Sequence, residues 1–354
     1  MNVTLFRAFR DPYRTSMTLY ADALERRVAD FLAPEDHIRS VELPGQRLDG
    51  WRRYWDQYVR YQAFASTAAT EVNHIVDHGY GHLTTALPRG RAIVTFHDAV
   101  VLRVPGVSWR TQQSFAHSLR RMRHAAAVVC VSETARRDLL GLMDMPHERV
   151  HVVPWGVDEA FRPGDRLQAR RRLGLSGDVV LAVGHTQGYM NIDRLIRAFG
   201  QLVAQHGANA TLVKVGLPLT PDQMRLVSEL DLGDRVRQVG RVPFADLPSY
   251  YHAADVLLYV PLLAGFGLPP LEAMACGTPV VASRRGAIPE VVGDAGVLVE
   301  AEDDTAMAEA MADLLSNPQL RRRMTERGFE RAAQFEWTRA AQSMASLYRA
   351  VARG

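Results

Sequence analysis

No stretch of the 354 residues approaches the roughly 18 consecutive apolar residues that a membrane-spanning helix needs. Only two cysteines occur, Cys130 and Cys276, each in an apolar run with no histidine or second cysteine beside it. That pattern excludes a disulfide framework and an ordinary zinc site, and both are expected to be buried thiols. Low-complexity tracts and short repeats are absent, and 47% hydrophobic with 23% charged residues is the composition of a folded globular chain. Charge of one sign is lacking too, since 42 basic and 39 acidic residues leave a net +3, too balanced to mark a nucleic-acid binder. Lysine is all but missing: Lys214 is the single one, and 41 of the 42 basic residues are arginine. A compact ammonium and a planar guanidinium are not equivalent at a close-packed site, so this exception needs an explanation. The start, MNVTLFRAFRDPYR, places charge after a short apolar run and does not read as a secretory signal, so the cytoplasm is the expected location.

What is present is alternation. Short β-branched runs at 3–6, 37–42, 74–76, 92–96, 127–132 and 150–153 in the first half, and at 179–183, 211–215, 236–239, 256–260, 280–283 and 296–298 in the second, predict strands. Segments of helical period lie between them, such as 17–31, 51–70 and 109–124. This is the pattern of an α/β protein with doubly wound parallel sheets. The length suits two domains. The segment 155–165, with Gly156, Pro163 and Gly164, is the best linker, which gives expected domains at 1–162 and 163–336. A last helix over 337–354 is expected to return to the first domain. Open sheets of this kind bind ligands at the carboxyl ends of their strands.

The most specific stretch follows the strand that ends near Val260. The loop Gly265-Phe266-Gly267-Leu268 enters a helix that starts near Pro269 or Pro270 and stops at Gly277, with proline in the first turn and glycine after the last. Such a loop offers unpaired N–H groups and a positive dipole end, so it can hold a diphosphate without side-chain charge. Glu272, one turn into the helix, can accept hydrogen bonds from ribose hydroxyls. The plainer reading, a tight strand-to-helix turn and nothing more, stays open on these residues alone.

Longer segments carry a resemblance. SMTLYADAL at 16–24, DHGYGHL at 77–83, TFHD at 95–98, VVCVSETARRDLL at 128–140 and HVVPWGVDEAFRP at 151–163 are similar to segments of the family 4 glycosyltransferases. LAVGHTQGYMN at 181–191, LVKVG at 212–216, VGRVPFADLPSYYHAADVLLYVPL at 239–262 and GFGLPPLEAMACGTPVVAS at 265–283 continue the likeness over nearly the whole chain. The resemblance implies the GT-B fold, two Rossmann-like domains facing a cleft, and transfer of a sugar from a nucleoside diphosphate sugar with retention of configuration. It implies a donor site in the C-terminal domain. Gly240, Arg241 and Val242 would read the base there and Glu272 the ribose, with Gly265, Phe266, Gly267 and Leu268 at the diphosphate and Gly184, His185 and Asn191 lining the phosphate side. His97 would be the catalytic-site residue of the acceptor domain, facing the donor sugar. No metal or other cofactor is expected, since helix N-termini and basic groups serve the leaving group and no Asp-x-Asp pair occurs.

Two positions depart from the family pattern. The first carboxylate of its Glu-x7-Glu motif is replaced by Ala264, and its phosphate lysine by Met190. Lys214, Arg241, Arg284 and Arg285 are candidates to supply the missing charge. Ala264 would suit a deoxy or otherwise modified sugar, because a carboxylate facing no hydroxyl is left unpaired. The alternative reading is a catalytically impaired, glycosyltransferase-like binding or partner protein. The acceptor, a small molecule or a glycan, is not named by the sequence. WRRYWDQYVRYQ at 51–62 and RRMRH at 120–124 are read as amphipathic helices with aromatics inward and arginines in water, contact with an anionic membrane or an acceptor being the other reading.

Overall fold

The computed structural model describes residues 1–7, 16–42, 51–104 and 107–354, the side chains of residues 51 and 53 excepted. It divides into two units, Met1–Gly156 with Glu336–Gly354, and Val157–Phe335. The division falls inside the expected linker but at Gly156 rather than Arg162. Val157 already donates its amide to the Phe335 carbonyl at 2.8 Å, which ties the following residues to the second unit.

Among the described residues the first unit holds six parallel strands, β1 (Asn2–Phe6), β2 (His37–Val41), β3 (Val72–Ile75), β4 (Ala92–Phe96), β5 (Ala127–Cys130) and β6 (Val150–Val152), in the order β2-β1-β3-β4-β5-β6. The second holds β7 (Asp178–Gly184), β8 (Ala210–Gly216), β9 (Val236–Gly240), β10 (Val256–Tyr259), β11 (Val280–Ser283) and β12 (Val297–Val299), in the order β12-β11-β10-β7-β8-β9. Central strands such as β4 and β10 are buried at every position, while the edge strands β2 and β9 are not. Helices on both faces impose the unbroken apolar runs at the centre, and the edges tolerate charge.

The two orders are not the same. Relative to its own first strand, the second sheet runs 3-2-1-4-5-6, the dinucleotide-binding order, with its switch point between β7 and β10. The first runs 2-1-3-4-5-6, the flavodoxin-like order, with its switch point between β1 and β3.

The helix Trp337–Arg353 packs on the helix Ser16–Ala29 and on β3. Its anchor is polar and buried: the Tyr348 hydroxyl meets His74 Nδ1 at 2.7 Å, and His74 Nε2 meets Thr95 Oγ1 at 2.7 Å. The segment expected as one helix over 51–70 is interrupted by a π-helical turn at Asp56–Arg60.

Candidate functional site

The switch point of the second sheet brings two loops together. β10 ends at Tyr259 and the chain passes through Gly265 and Phe266 to Gly267, which takes φ +122° and opens the helix Leu268–Cys276. A Cβ on Gly267 would stand 2.8 Å from Ile288 Cδ1, a methyl that could shift aside, so it is the dihedral that demands glycine. The helix begins at Leu268, one residue before the expected start, and Gly277 closes it in the left-handed region at φ +84°. From the other side, the loop after β7 is tied to this one, because Leu262 N–H donates to the Tyr189 carbonyl at 2.8 Å. Beneath them Gly286 lies so close to the Ala264 carbonyl that its own Cβ would sit 2.4 Å away.

Asn191 makes the second tie. It sits at φ +60°, and its side-chain amide donates to the carbonyls of Val260 at 3.0 Å and Ala301 at 2.7 Å. Both donors of its side-chain amide thus hold main chain. For Lys214 the structure corrects the expectation that it supplies the missing charge. It is 2% exposed, and its Nζ donates to the carbonyls of Gly184 at 2.7 Å, Val215 at 3.0 Å and Leu217 at 3.1 Å. Three donors on one ammonium meet three carbonyls, so none is left for a phosphate, and the residue neither reaches solvent nor replaces the missing lysine. Burial takes its pKa down to about 8.

Glu272 is buried in the same helix, and the Tyr251 hydroxyl donates to its Oε2 at 2.6 Å. Burial pushes the Glu272 pKa up to about 7 against that hydrogen bond. Tyr251 is itself fixed by Thr278, whose hydroxyl donates to its carbonyl at 2.6 Å, and by the edge-on ring of Phe161 at 5.7 Å. No sequence signal marks this supporting layer, because Tyr251 reads as one more aromatic in a short helix. Gly240 takes φ +78° at the end of β9, followed by exposed Arg241 and half-buried Val242. His185 has its pKa lowered by desolvation and by the positive charges of Arg241 and Lys214. Arg284 and Arg285 pair with Glu300 and Glu302 at the surface, as solvated charges do.

In the first unit His97 follows β4 and is 3% exposed. Its Nε2 lies 2.7 Å from the Val76 carbonyl, which fixes the proton on that nitrogen. Nδ1 is then a bare lone pair, and it is buried without a partner. Tyr20 and Trp155 stand edge-on to the ring at 5.3 and 5.5 Å. Burial, with His78 beside it, takes the pKa down to about 4, so the ring is neutral at pH 7. Both cysteines are buried.

Residues 165–331 match the family described as glycosyl transferases group 1, and residues 17–161 match Glycosyltransferase Family 4. D-inositol 3-phosphate glycosyltransferase 1 of Catenulispora acidiphila is 37% identical over 246 residues, 65% of this chain and 59% of the relative. The D-inositol 3-phosphate glycosyltransferase of Acidothermus cellulolyticus is 37% identical over 230 residues, 61% and 51% of the two chains. The chain thus spans little more than half the length of these curated relatives. Sucrose-phosphate synthase of Thermosynechococcus elongatus has the same fold with a TM-score of 0.82 at 24% identity, covering 99% of this chain and 98% of that one. Anabaena HepE, solved with UDP and glucose, gives 0.79 at 18% identity, covering 99% and 100%. The chain belongs to the family 4 glycosyltransferases. Its two parallel six-stranded sheets are those of the GT-B fold.

Against other family 4 glycosyltransferases, the two departures have local structural consequences. Met190 is 6% exposed, and its Cε lies 3.2 Å from where a Cβ of Gly184 would be, so the thioether covers the glycine at the end of β7. Ala264 contributes a methyl group and a carbonyl that accepts the Ala287 amide at 3.0 Å. The expectation for 51–62 needs correction in part: Tyr61 is fully buried, but Tyr54 and Trp55 are exposed and face outward. In 120–124 Met122 is buried while Arg120, Arg121 and Arg123 are exposed, as expected. Trp109, at the start of the helix Trp109–Met122, is 69% exposed. Among the described residues no helix is long and apolar enough to cross a membrane.

Proposed function

We propose that the chain transfers a sugar from a nucleoside diphosphate sugar, with retention of configuration, to a small-molecule or glycan acceptor. The observation that carries this reading is the Gly267 turn into the helix Leu268–Cys276 at the switch point of the second sheet. There the first-turn N–H groups and the helix dipole meet the leaving diphosphate and stabilise the charge that grows on it as the sugar–phosphate bond breaks. Main-chain amides do this without a metal in the proposed scheme. Glu272 takes the ribose hydroxyls, and the backbone at Gly240, Arg241 and Val242 takes the base. Gly184 and His185 line the phosphate side. In the first unit His97 offers its bare Nδ1 to a hydroxyl of the substrate.

The relatives support this reading. Two are named D-inositol 3-phosphate glycosyltransferases, and HepE was solved with UDP-glucose. Ala264 favours a donor whose sugar lacks the hydroxyl that a carboxylate would bind, or carries a substituent on it. Binding of UDP, GDP, ADP and dTDP is measured by calorimetry, and release of the nucleotide from the matching sugar donors is followed with myo-inositol 3-phosphate and other acceptors. Tight binding of one diphosphate and its release are expected. Binding without release with any acceptor would favour the non-catalytic partner protein, and no binding of any of the four would sink the proposal.

A further inference from the structure

The outward aromatics of the first unit do not form a flat patch. Tyr54, Tyr58, Trp109, Arg110, His117 and Arg121 line a cavity of ≈ 830 Å³, a volume typical of small-molecule sites. Two helical faces build it by the same spacing. Trp109, Gln113, His117 and Arg121 recur every fourth residue along the helix Trp109–Met122, and Tyr54, Tyr58 and Gln62 do so opposite. The core-facing stripe of the first helix, Phe115, Ser118, Leu119 and Met122, is separate and already buried, so the groove face is not needed for folding.

The walls are held in place. Tyr58 stacks on Tyr54 with rings 6.2 Å apart and 13° between planes, lies 4.5 Å from the His82 ring, and stands edge-on to His117 at 5.6 Å. Its hydroxyl bonds Ser114 across the groove. The Arg110 guanidinium lies 5.9 Å from the Trp109 ring centroid. Among the described residues no carboxylate lines the cavity, and neither Arg110 nor Arg121 has an acidic partner. Desolvation and the charges of Arg121 and Arg120 lower the His117 pKa, leaving that ring free to hydrogen-bond in its neutral form. Flat aromatic walls with unpaired guanidinium groups at both ends of one helix face complement a ligand that is planar in the middle and anionic at an edge.

We infer that this groove is a binding site for a small ring-bearing acid, a phosphate, sulfonate or carboxylate carried on a planar or sugar-sized ring. Its described lining is helical and does not include His97, and the inference does not depend on the transferase reading. The probe is 1-naphthyl phosphate, titrated into the full chain by calorimetry, with 1-naphthol and inorganic phosphate as partial ligands and phosphatidylglycerol vesicles as the competing surface. One probe per chain is expected, with at least tenfold weaker binding of each partial ligand. Trp109→Ala and Arg121→Ala alter exposed side chains and are expected to leave the melting temperature in place while each weakens the probe at least tenfold. Failure of the probe to bind at millimolar concentration, equal binding of inorganic phosphate, or unchanged binding in both variants would overturn the inference. So would an effect of the two substitutions on vesicle association alone, which would make the groove a membrane surface.

Discussion

Lys214 sits where an arginine-rich chain keeps an ammonium. Its three donors serve three carbonyls that bracket the ends of β7 and β8, a geometry the planar fork of arginine does not reproduce. Lys214→Arg is expected to cost about 2 kcal/mol by leaving buried carbonyls unpaired, read from urea unfolding at pH 7. Its titration adds a pH signature. The folded pKa of about 8 lies below the ordinary 10.5, so between those values the unfolded chain binds more protons and stability rises with pH. Wild type should therefore gain on Lys214→Met from pH 8 to pH 9.5, and a constant difference would contradict the buried charge. Glu272 has the opposite sign. Its folded pKa of about 7 exceeds the ordinary 4.5, so its contribution is complete below pH 4.5 and is lost as pH rises through 7. Glu272→Gln should gain stability relative to wild type between pH 5 and pH 8 while binding the nucleoside diphosphate about tenfold more weakly. That pairing of a stability gain with a binding loss is expected of a group kept for function.

The glycine turn is the unit of interest among the elements. Gly267→Ala brings a Cβ against Ile288 and strains a φ that side chains rarely adopt. A loss of about 1–3 kcal/mol in stability is expected, and calorimetry should show the diphosphate bound more than tenfold more weakly. Ala264→Glu tests the sugar preference from the same loop. If it raises turnover with an ordinary hexose donor and leaves donor choice unchanged, Ala264 is not a specificity device. The glycine, the proline-rich first turn and the stop at Gly277 were legible in the sequence, since each reflects a local backbone demand. Asn191, Lys214 and Tyr251 were not legible in their roles, because their partners are 21 to 110 residues away or are main-chain carbonyls that no side-chain pattern encodes. The outward turn of Tyr54 and Trp55 was not legible either, since an amphipathic period gives a face without saying which face the core takes.

At the scale of the whole chain, the first unit is discontinuous. Its last helix contributes Ala341, Met344, Ala345 and Tyr348, all fully buried, and Arg91 donates to the carbonyls of Val351 and Ala352. Removing residues 337–354 strips a face of the N-terminal sheet and leaves His74 Nδ1 unsatisfied. The truncated chain should therefore lose protease resistance first within residues 1–156, mapped by mass spectrometry of limited digests. Early cleavage confined to 157–335 would contradict that assignment.

The sequence by itself determined the twelve strands, the α/β class, the family and the glycine loop, because alternation, apolar runs and backbone-demanding residues are local properties of the chain. Only the tertiary structure decided the two different strand orders, the burial of Lys214 and Glu272, and the groove between the helical faces at 54–62 and 109–121. Those depend on which distant segments come to lie side by side, and burial, pairing and charge at a residue follow from its neighbours in space rather than in sequence.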